Sequence, residues 1–255
     1  MKDRYYGVSF YDGLGQGSLR SAKVTLAKLF ELYRPTSVVD FGCGIGTWLR
    51  AARDLGVEEI LGIDGDYVRK KQLQISPDAF IAADLARETV PLNRRFDLAM
   101  SLEVAEHLPK ERSEAFVRQL VDASDVVLFS AAVPDQGGRH HVNEQFASYW
   151  VKRFRAEGYE CYDAVRPLIW SDDRVEWWYR QNILLFAKDR VFPGRKEAAT
   201  DYDMIHPQMW LNRGAIGRRI DRAARGLRHF LSQSAPPFAT ALVRGRHAAR
   251  PRLKP

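Results

Sequence analysis

The 255-residue sequence predicts an α/β protein with a doubly wound, mostly parallel sheet closed by a late antiparallel strand pair. Three observations carry that expectation. Short apolar runs alternate with helical patterns through the first two thirds of the chain. A glycine-rich turn joins the first such run directly to a helix, and acids end successive runs at equivalent places. A hydrophobic content of 45% suits one sizeable domain with an appendage, and no internal repeat is evident.

Residues 1–35 read as an N-terminal lid and helix. The stretch "YYGVSFYDGLGQGS" sets Tyr5, Tyr6, Phe10 and Tyr11 among glycines, which suits either a lid over a ligand or a segment packed on the domain. "SLRSAKVTLAKLFELYR" is the first helix, stopped by Pro35. The main domain spans residues 36–190. In it "SVVDFG" is a buried strand and "TWLRAARDLG" a helix; "EEILGIDGD", "AFIAADL" and "RFDLAMSLEV" are strands; "ERSEAFVRQLVDA" is a helix and "SDVVLFSAAVP" the fifth strand. "YECYDAVRP" and "QNILLFAK" close the sheet as a hairpin-like pair. Trp170, Trp177, Trp178 and Tyr179 fall between them, and most such aromatics serve as core, with one expected to reach a substrate. Residues 191–212 read as an irregular extension and 213–255 as a basic amphipathic helix and tail. Ile216, Ile220, Ala223, Leu227 and Phe230 make one stripe of that helix, and arginines lie opposite.

The net charge of +7 is concentrated at one end. From Arg213 onward ten Arg and one Lys face the single Asp221, a net of +10, which leaves −3 for residues 1–212. A main domain that gripped a phosphate backbone would carry the positive footprint itself, so a nucleic-acid partner is not favoured. The basic helix suits an anionic membrane or a protein partner. Cys43 and Cys161 are too few for a framework of bridges and read as packing residues. With no apolar signal segment in "MKDRYYGVSF", the expected place is the cytoplasm, peripheral to the membrane if the tail binds there.

In "VVDFGCGIGTW", Gly42, Gly44 and Gly46 follow a buried strand and precede a helix, the context a nucleotide-binding glycine loop requires. Asp64 ends the next strand, where an acid can accept both hydroxyls of a ribose, and Asp84 ends the third. These residues resemble the class I S-adenosylmethionine-dependent methyltransferases over roughly Ser37 to Lys188. The resemblance implies a Rossmann-like methyltransferase fold with S-adenosylmethionine as cofactor. It places Asp40, Gly42, Cys43, Gly44 and Gly46 along the methionine part, Asp64 with Gly65 at the ribose, and Asp84 with Leu85 at the adenine. A nicotinamide dehydrogenase is the physical rival, because Asp64 also suits that cofactor. The acid at Asp40, the second acid at Asp84 and the late β pair disfavour it.

The fourth strand ends in "SLEVAEHLP", at the same sheet edge as the three aspartates. If the chain turns helical after Glu103, then Glu103, Glu106 and His107 stand at i, i+3 and i+4 and share a face. Two carboxylates and an imidazole can hold a divalent cation or pair a base with its orienting partner. The stretch resembles the post-strand motif of small-molecule O-methyltransferases. It also resembles that of small-RNA terminal 2′-O-methyltransferases, where Glu-x-x-Glu-His and a later histidine hold a metal on a ribose diol. The flanking residues of the RNA enzymes are not reproduced.

"GGRHHVNEQF" brings His140 and His141 to the same edge, and His141 is the better match. The resemblance thus implies Glu103, Glu106, His107 and His141 as ligands of Mg or Mn. Three roles stay open for the stretch: a metal site, a metal-free wall with His107 and His141 as catalytic acid and base, or a plain helix start, since acids favour helix N-termini. The expected activity is methylation of a hydroxyl on a sugar, glycan precursor or other polyol-bearing metabolite. The alternatives are an RNA-terminal 2′-O-methyltransferase and a non-catalytic cofactor-binding regulator.

Overall fold

The computed structural model describes residues 8–192 and 202–212. The chain divides into two compact units, residues 1–206 and 207–255. In the second, residues 207–212 are helical, and the amphipathic helix expected over 216–230 lies outside the described residues. Among the described residues no helix is long and apolar enough to cross a membrane.

The first unit is a seven-stranded sheet in the order β3-β2-β1-β4-β5-β7-β6. Strands β1 (Ser37–Phe41), β2 (Glu59–Asp64), β3 (Phe80–Ala82), β4 (Leu98–Leu102) and β5 (Val126–Ser130) pair in parallel. Strand β7 (Leu184–Ala187) runs antiparallel to both β5 and β6 (Glu160–Tyr162). The strand order reverses between β1 and β4, and in open α/β sheets ligands bind at the carboxyl ends of strands beside such a reversal.

Alternation along the strands builds two cores. Val38, Leu98, Met100, Val126 and Leu128 face α1 (Val8–Leu32) and α2 (Thr47–Asp54), meeting Leu26, Leu29 and Leu49. Val39, Phe41, Ala99, Val127 and Phe129 face α3 (Ser113–Ala123) and α4 (Ala147–Ala156), where Phe116, Trp150 and Phe154 pack against them. Both β4 and β5 are buried throughout, as strands covered on two faces must be.

Two elements differ from the sequence expectation. Helix α1 begins at Val8 and takes in Phe10 and Tyr11, while Tyr5 and Tyr6 lie outside the described residues. Glycines weaken a helix, but here tertiary contact compensates. A Cβ at Gly17 would stand 2.4 Å from Glu176 Oε1, and Ser21 Oγ accepts from Glu176 N at 2.9 Å. The pair β6–β7 is antiparallel as expected, yet α5 (Arg166–Ile169) and α6 (Trp177–Asn182) intervene, so the link is an excursion over the sheet edge and no tight hairpin.

Candidate active site

At the carboxyl ends of β1 and β4 opens a cavity of about 490 Å3. The glycine loop forms one side of it, Glu103, Glu106, His107 and His141 another, and Trp177 with Trp178 a third.

The loop takes its shape from three left-handed glycines, Gly42 (φ 87°), Gly44 (φ 56°) and Gly46 (φ 82°). At Gly42 a Cβ would lie 2.3 Å from Val104 Cγ2, so the loop packs directly on the segment after β4. Cys43 is buried, its sulfur 2.6 Å from where a Cβ on Gly62 would be, which makes it the packing residue expected. Asp40 sits within β1 and lines the cavity with its Oδ1 buried and unpartnered. Burial, and then the neighbouring Asp64, push its pKa up to about 8.

Asp64 is equally buried, but both of its oxygens are engaged. Its Oδ2 accepts from Gly44 N at 2.6 Å, and its Oδ1 accepts from Gly65 N at 2.6 Å and from the Tyr67 hydroxyl. Asp84 Oδ1 accepts from Ala86 N at 3.1 Å and Leu85 belongs to the core. Asp64, Gly65, Asp84 and Leu85 follow or end β2 and β3 at the same sheet edge but stand outside the cavity lining.

The segment after β4 departs from the helical face that the spacing predicts. Glu103 itself is left-handed (φ 56°), and only Ala105–His107 forms a single 3-10 turn. The chain therefore reverses between Glu103 and Glu106, and the i, i+3, i+4 face does not form. Glu103 turns to two amides, the buried Asn182 and the partly buried Gln136. Gln136 Nε2 donates to its Oε2 at 2.9 Å, Asn182 Nδ2 donates to its Oε1 at 3.0 Å, and its own N–H reaches Ser130 O at 3.0 Å. Burial raises its pKa while the bonds from Asn182, Ser130 and Gln136 oppose the rise.

The structure brings together Glu106, His107 and His141, with one potential ligand atom from each lying within 4.8 Å of the others. Two ligands on opposite sides of a small divalent ion stand about 4.2 Å apart, so slight side-chain adjustment closes the gap. Glu103 is not in this group.

The partners of each side chain explain the convergence. Glu106 is 0% exposed with both carboxylate oxygens unpartnered, and burial followed by Glu103 raises its pKa well above the carboxylate range. Its carbonyl accepts from Val142 N at 2.9 Å and Asn143 N at 3.0 Å, which pins the loop after β5 and delivers His141. His141 Nδ1 meets Glu144 Oε1 at 2.8 Å, and Glu144 also accepts from Asp135 N and Gly137 N. Gly138 leaves room for the ring, since a Cβ there would fall 2.1 Å from His141 Nε2. His107 Nδ1 meets the His140 carbonyl at 3.3 Å, so His140 contributes its backbone at this contact. Burial and then His141 push the His107 pKa down to about 4, leaving a neutral ring. With both Nδ1 atoms engaged, the Nε2 atoms are the ones left to bind a ligand.

Sequence reading missed Glu144, Gln136 and Asn182. A signal existed for Asn182, because Gln181 and Asn182 stand as two adjacent amides immediately before the apolar run "ILLFA". Among the aromatics, Tyr179 belongs to the core and Trp178 packs against it, Trp177, Trp178 and Tyr179 also line the cavity, and Trp170 packs on His206 at 4.7 Å between ring centroids.

Comparison with known proteins follows the same lines. A family model described as a methyltransferase domain matches residues 18–168. The malonyl-[acyl-carrier protein] O-methyltransferase of Pseudescherichia vulneris is 43% identical over 93 residues, which is 36% of this chain and 36% of that protein. The match thus spans little more than a third of that relative's length. Similar solved structures include DesVI of Streptomyces venezuelae, with TM-score 0.52, 13% identity and coverage of 71% of this chain and 95% of that one. The plantazolicin methyltransferase BpumL in complex with SAH gives TM-score 0.50, 16% identity and coverage of 71% and 88%. The methyltransferase domain of bacterial CtHen1-C gives TM-score 0.50, 22% identity and coverage of 66% and 97%. At these identities the structures share the fold alone. The family model covers more than half of the chain, so the chain belongs to the methyltransferase-domain family.

Proposed function

We propose that this enzyme methylates a hydroxyl oxygen on a sugar, glycan precursor or other polyol-bearing metabolite, with a divalent cation held by Glu106, His107 and His141. The observation that carries the reading is the convergence of those three side chains around two buried, unpartnered Glu106 oxygens. A buried carboxyl without a well-formed hydrogen bond is costly to ionise unless a positive charge pairs with it.

The residues fit the cofactor. Left-handed glycines let the loop backbone approach a ligand closely, and the orphaned Oδ1 of Asp40 suits the ammonium of a methionine moiety. Asp64 is read as the ribose acid. S-adenosylmethionine supplies an electrophilic methyl group on a sulfonium. The chain's own task is to orient the acceptor oxygen, exclude water and receive a proton. A cation in the triad would supply a positive charge that makes a nearby hydroxyl more acidic. His107, neutral down to about pH 4, suits a ligand better than a base. His141 is backed by Glu144, which would stabilise the imidazolium formed if His141 accepts the proton instead. Trp177 and Trp178 offer ring faces on which a sugar can stack.

The Pseudescherichia relative is named for a malonyl-[acyl-carrier protein] acceptor, and a carboxylate acceptor is the rival that the test below separates. An RNA terminus presents the same diol, but the −3 charge of residues 1–212 does not favour a polyanion.

The test is release of S-adenosylhomocysteine from S-adenosylmethionine with methyl glycosides, glycerol phosphate and short RNA as acceptors, run with chelator and then with magnesium or manganese restored. Activity on a glycoside that needs the cation supports the reading. Activity confined to RNA and suppressed by salt, or to a carboxylate, overturns it.

A further inference from the structure

Asp64 is asked to bind a ribose, and its acceptor sites are nearly used up. A carboxylate offers about four lone-pair sites. Gly44 N, Gly65 N and the Tyr67 hydroxyl take three of them. A ribose diol brings two donors, one more than the carboxylate can still receive. Two of the present donors are backbone N–H groups, one in the glycine loop and one directly after β2, and neither moves unless the loop refolds. The third is a phenol on a side chain that can rotate.

The ring has a seat made for it. A Cβ added to Gly65 would stand 2.1 Å from Tyr67 Cε1, so only glycine at position 65 lets the tyrosine lie there. Gly65 has no left-handed φ that would otherwise explain it. Asp64 is 6% exposed and stands outside the cavity lining, although its partner Gly44 lies on it.

We infer that Tyr67 is a latch on the ribose subsite: its hydroxyl holds the place of one ribose hydroxyl on Asp64 and leaves when the cofactor binds. Tyr67 is thereby a residue that sets cofactor affinity, because the free protein is stabilised by a hydrogen bond that the complex exchanges for another. The inference rests on the reading of Asp64 as the ribose acid.

The experiment is calorimetric titration of the full chain with S-adenosylhomocysteine, comparing wild type, Tyr67→Phe and Asp64→Asn. The expected result is about 3- to 30-fold tighter binding by Tyr67→Phe, since a bond to a charged acceptor no longer has to be broken, and weaker binding by Asp64→Asn. Unchanged affinity in Asp64→Asn overturns the ribose reading. Weaker binding there, together with unchanged or weaker binding in Tyr67→Phe, overturns the latch alone. A second measurement is independent of affinity. In protein labelled with 3-fluorotyrosine, the fluorine resonance that Tyr67→Phe removes should shift on adding S-adenosylhomocysteine. A resonance that stays in place means that the hydroxyl is not displaced, and it too overturns the latch.

Discussion

Asp64 and Glu106 come from the same sheet edge and are almost equally hidden, at 6% and 0% exposure, yet they meet opposite environments. Asp64 receives two backbone N–H bonds and a phenol, whereas neither oxygen of Glu106 makes a well-formed hydrogen bond and only the backbone at Glu106 and Ala132 tempers its raised pKa. The corner around Asp64 is a finished hydrogen-bonded unit that a ligand must partly open. The side after β4 is unfinished, and a positive charge or a hydrogen-bond donor completes it. Burial alone therefore does not tell whether a site acid is already engaged in the free protein. The count of satisfied oxygens does.

The largest effect should follow from emptying the unfinished side. Glu106→Gln and His141→Ala are each expected to lower turnover about a hundredfold or more. If the cation reading holds, each should also lower manganese affinity, read by electron paramagnetic resonance, while S-adenosylhomocysteine still binds. Full activity in chelator combined with loss in His141→Ala would keep the acid–base role and discard the cation.

The Glu106 side chain should also make the free protein sensitive to pH. Burial and then Glu103 raise the Glu106 pKa, so the stability this group gives is lost as pH rises above the ordinary carboxylate range, and Glu106→Gln should lessen that loss, read by urea unfolding at several pH values.

Glu144→Gln tests whether the orienting shell matters. With Glu144 no longer fixing Nδ1, cation affinity should fall about 10- to 100-fold while the fold and cofactor binding persist.

The smallest effect concerns Asp40, where the comparison can be made with pH. Its pKa is raised to about 8, so the folded chain holds this proton more tightly than the unfolded chain does. The stabilisation it gives is fully present below the ordinary carboxylate range and is lost as pH rises through about 8. Melting temperature without cofactor should therefore fall between about pH 4 and 8, and Asp40→Asn should flatten that slope. Cofactor affinity should rise over the same interval if the cofactor's ammonium faces the ionised acid.

The chain order of strands, helices and glycine turn was legible because each is a local pattern. Val38 and Val39 alternate between two cores, Gly46 opens α2, and "SLRSAKVTLAKLFELYR" carries a helical stripe. The start of α1 was not legible, because the glycines that argue against a helix are offset by Glu176, 159 residues away from Gly17. Helical spacing wrongly joined Glu103 to Glu106 and His107, since one left-handed residue is enough to break a face and nothing in the letters marks a glutamate as left-handed.

The sequence by itself determined which chemical groups arrive at the sheet edge. Strand ends are set by local periodicity, and residues at the ends of parallel strands share one side of the sheet. Tertiary structure alone decided which of those groups meet. His141 joins Glu106 through the bonds from Val142 and Asn143 to the Glu106 carbonyl, Glu103 is drawn off by Gln136 and Asn182, and Tyr67 closes over Asp64. Each of these pairings is fixed by a hydrogen bond from another element or by the seat that a missing Cβ leaves. Such directional contacts carry no periodicity that a one-dimensional pattern could record.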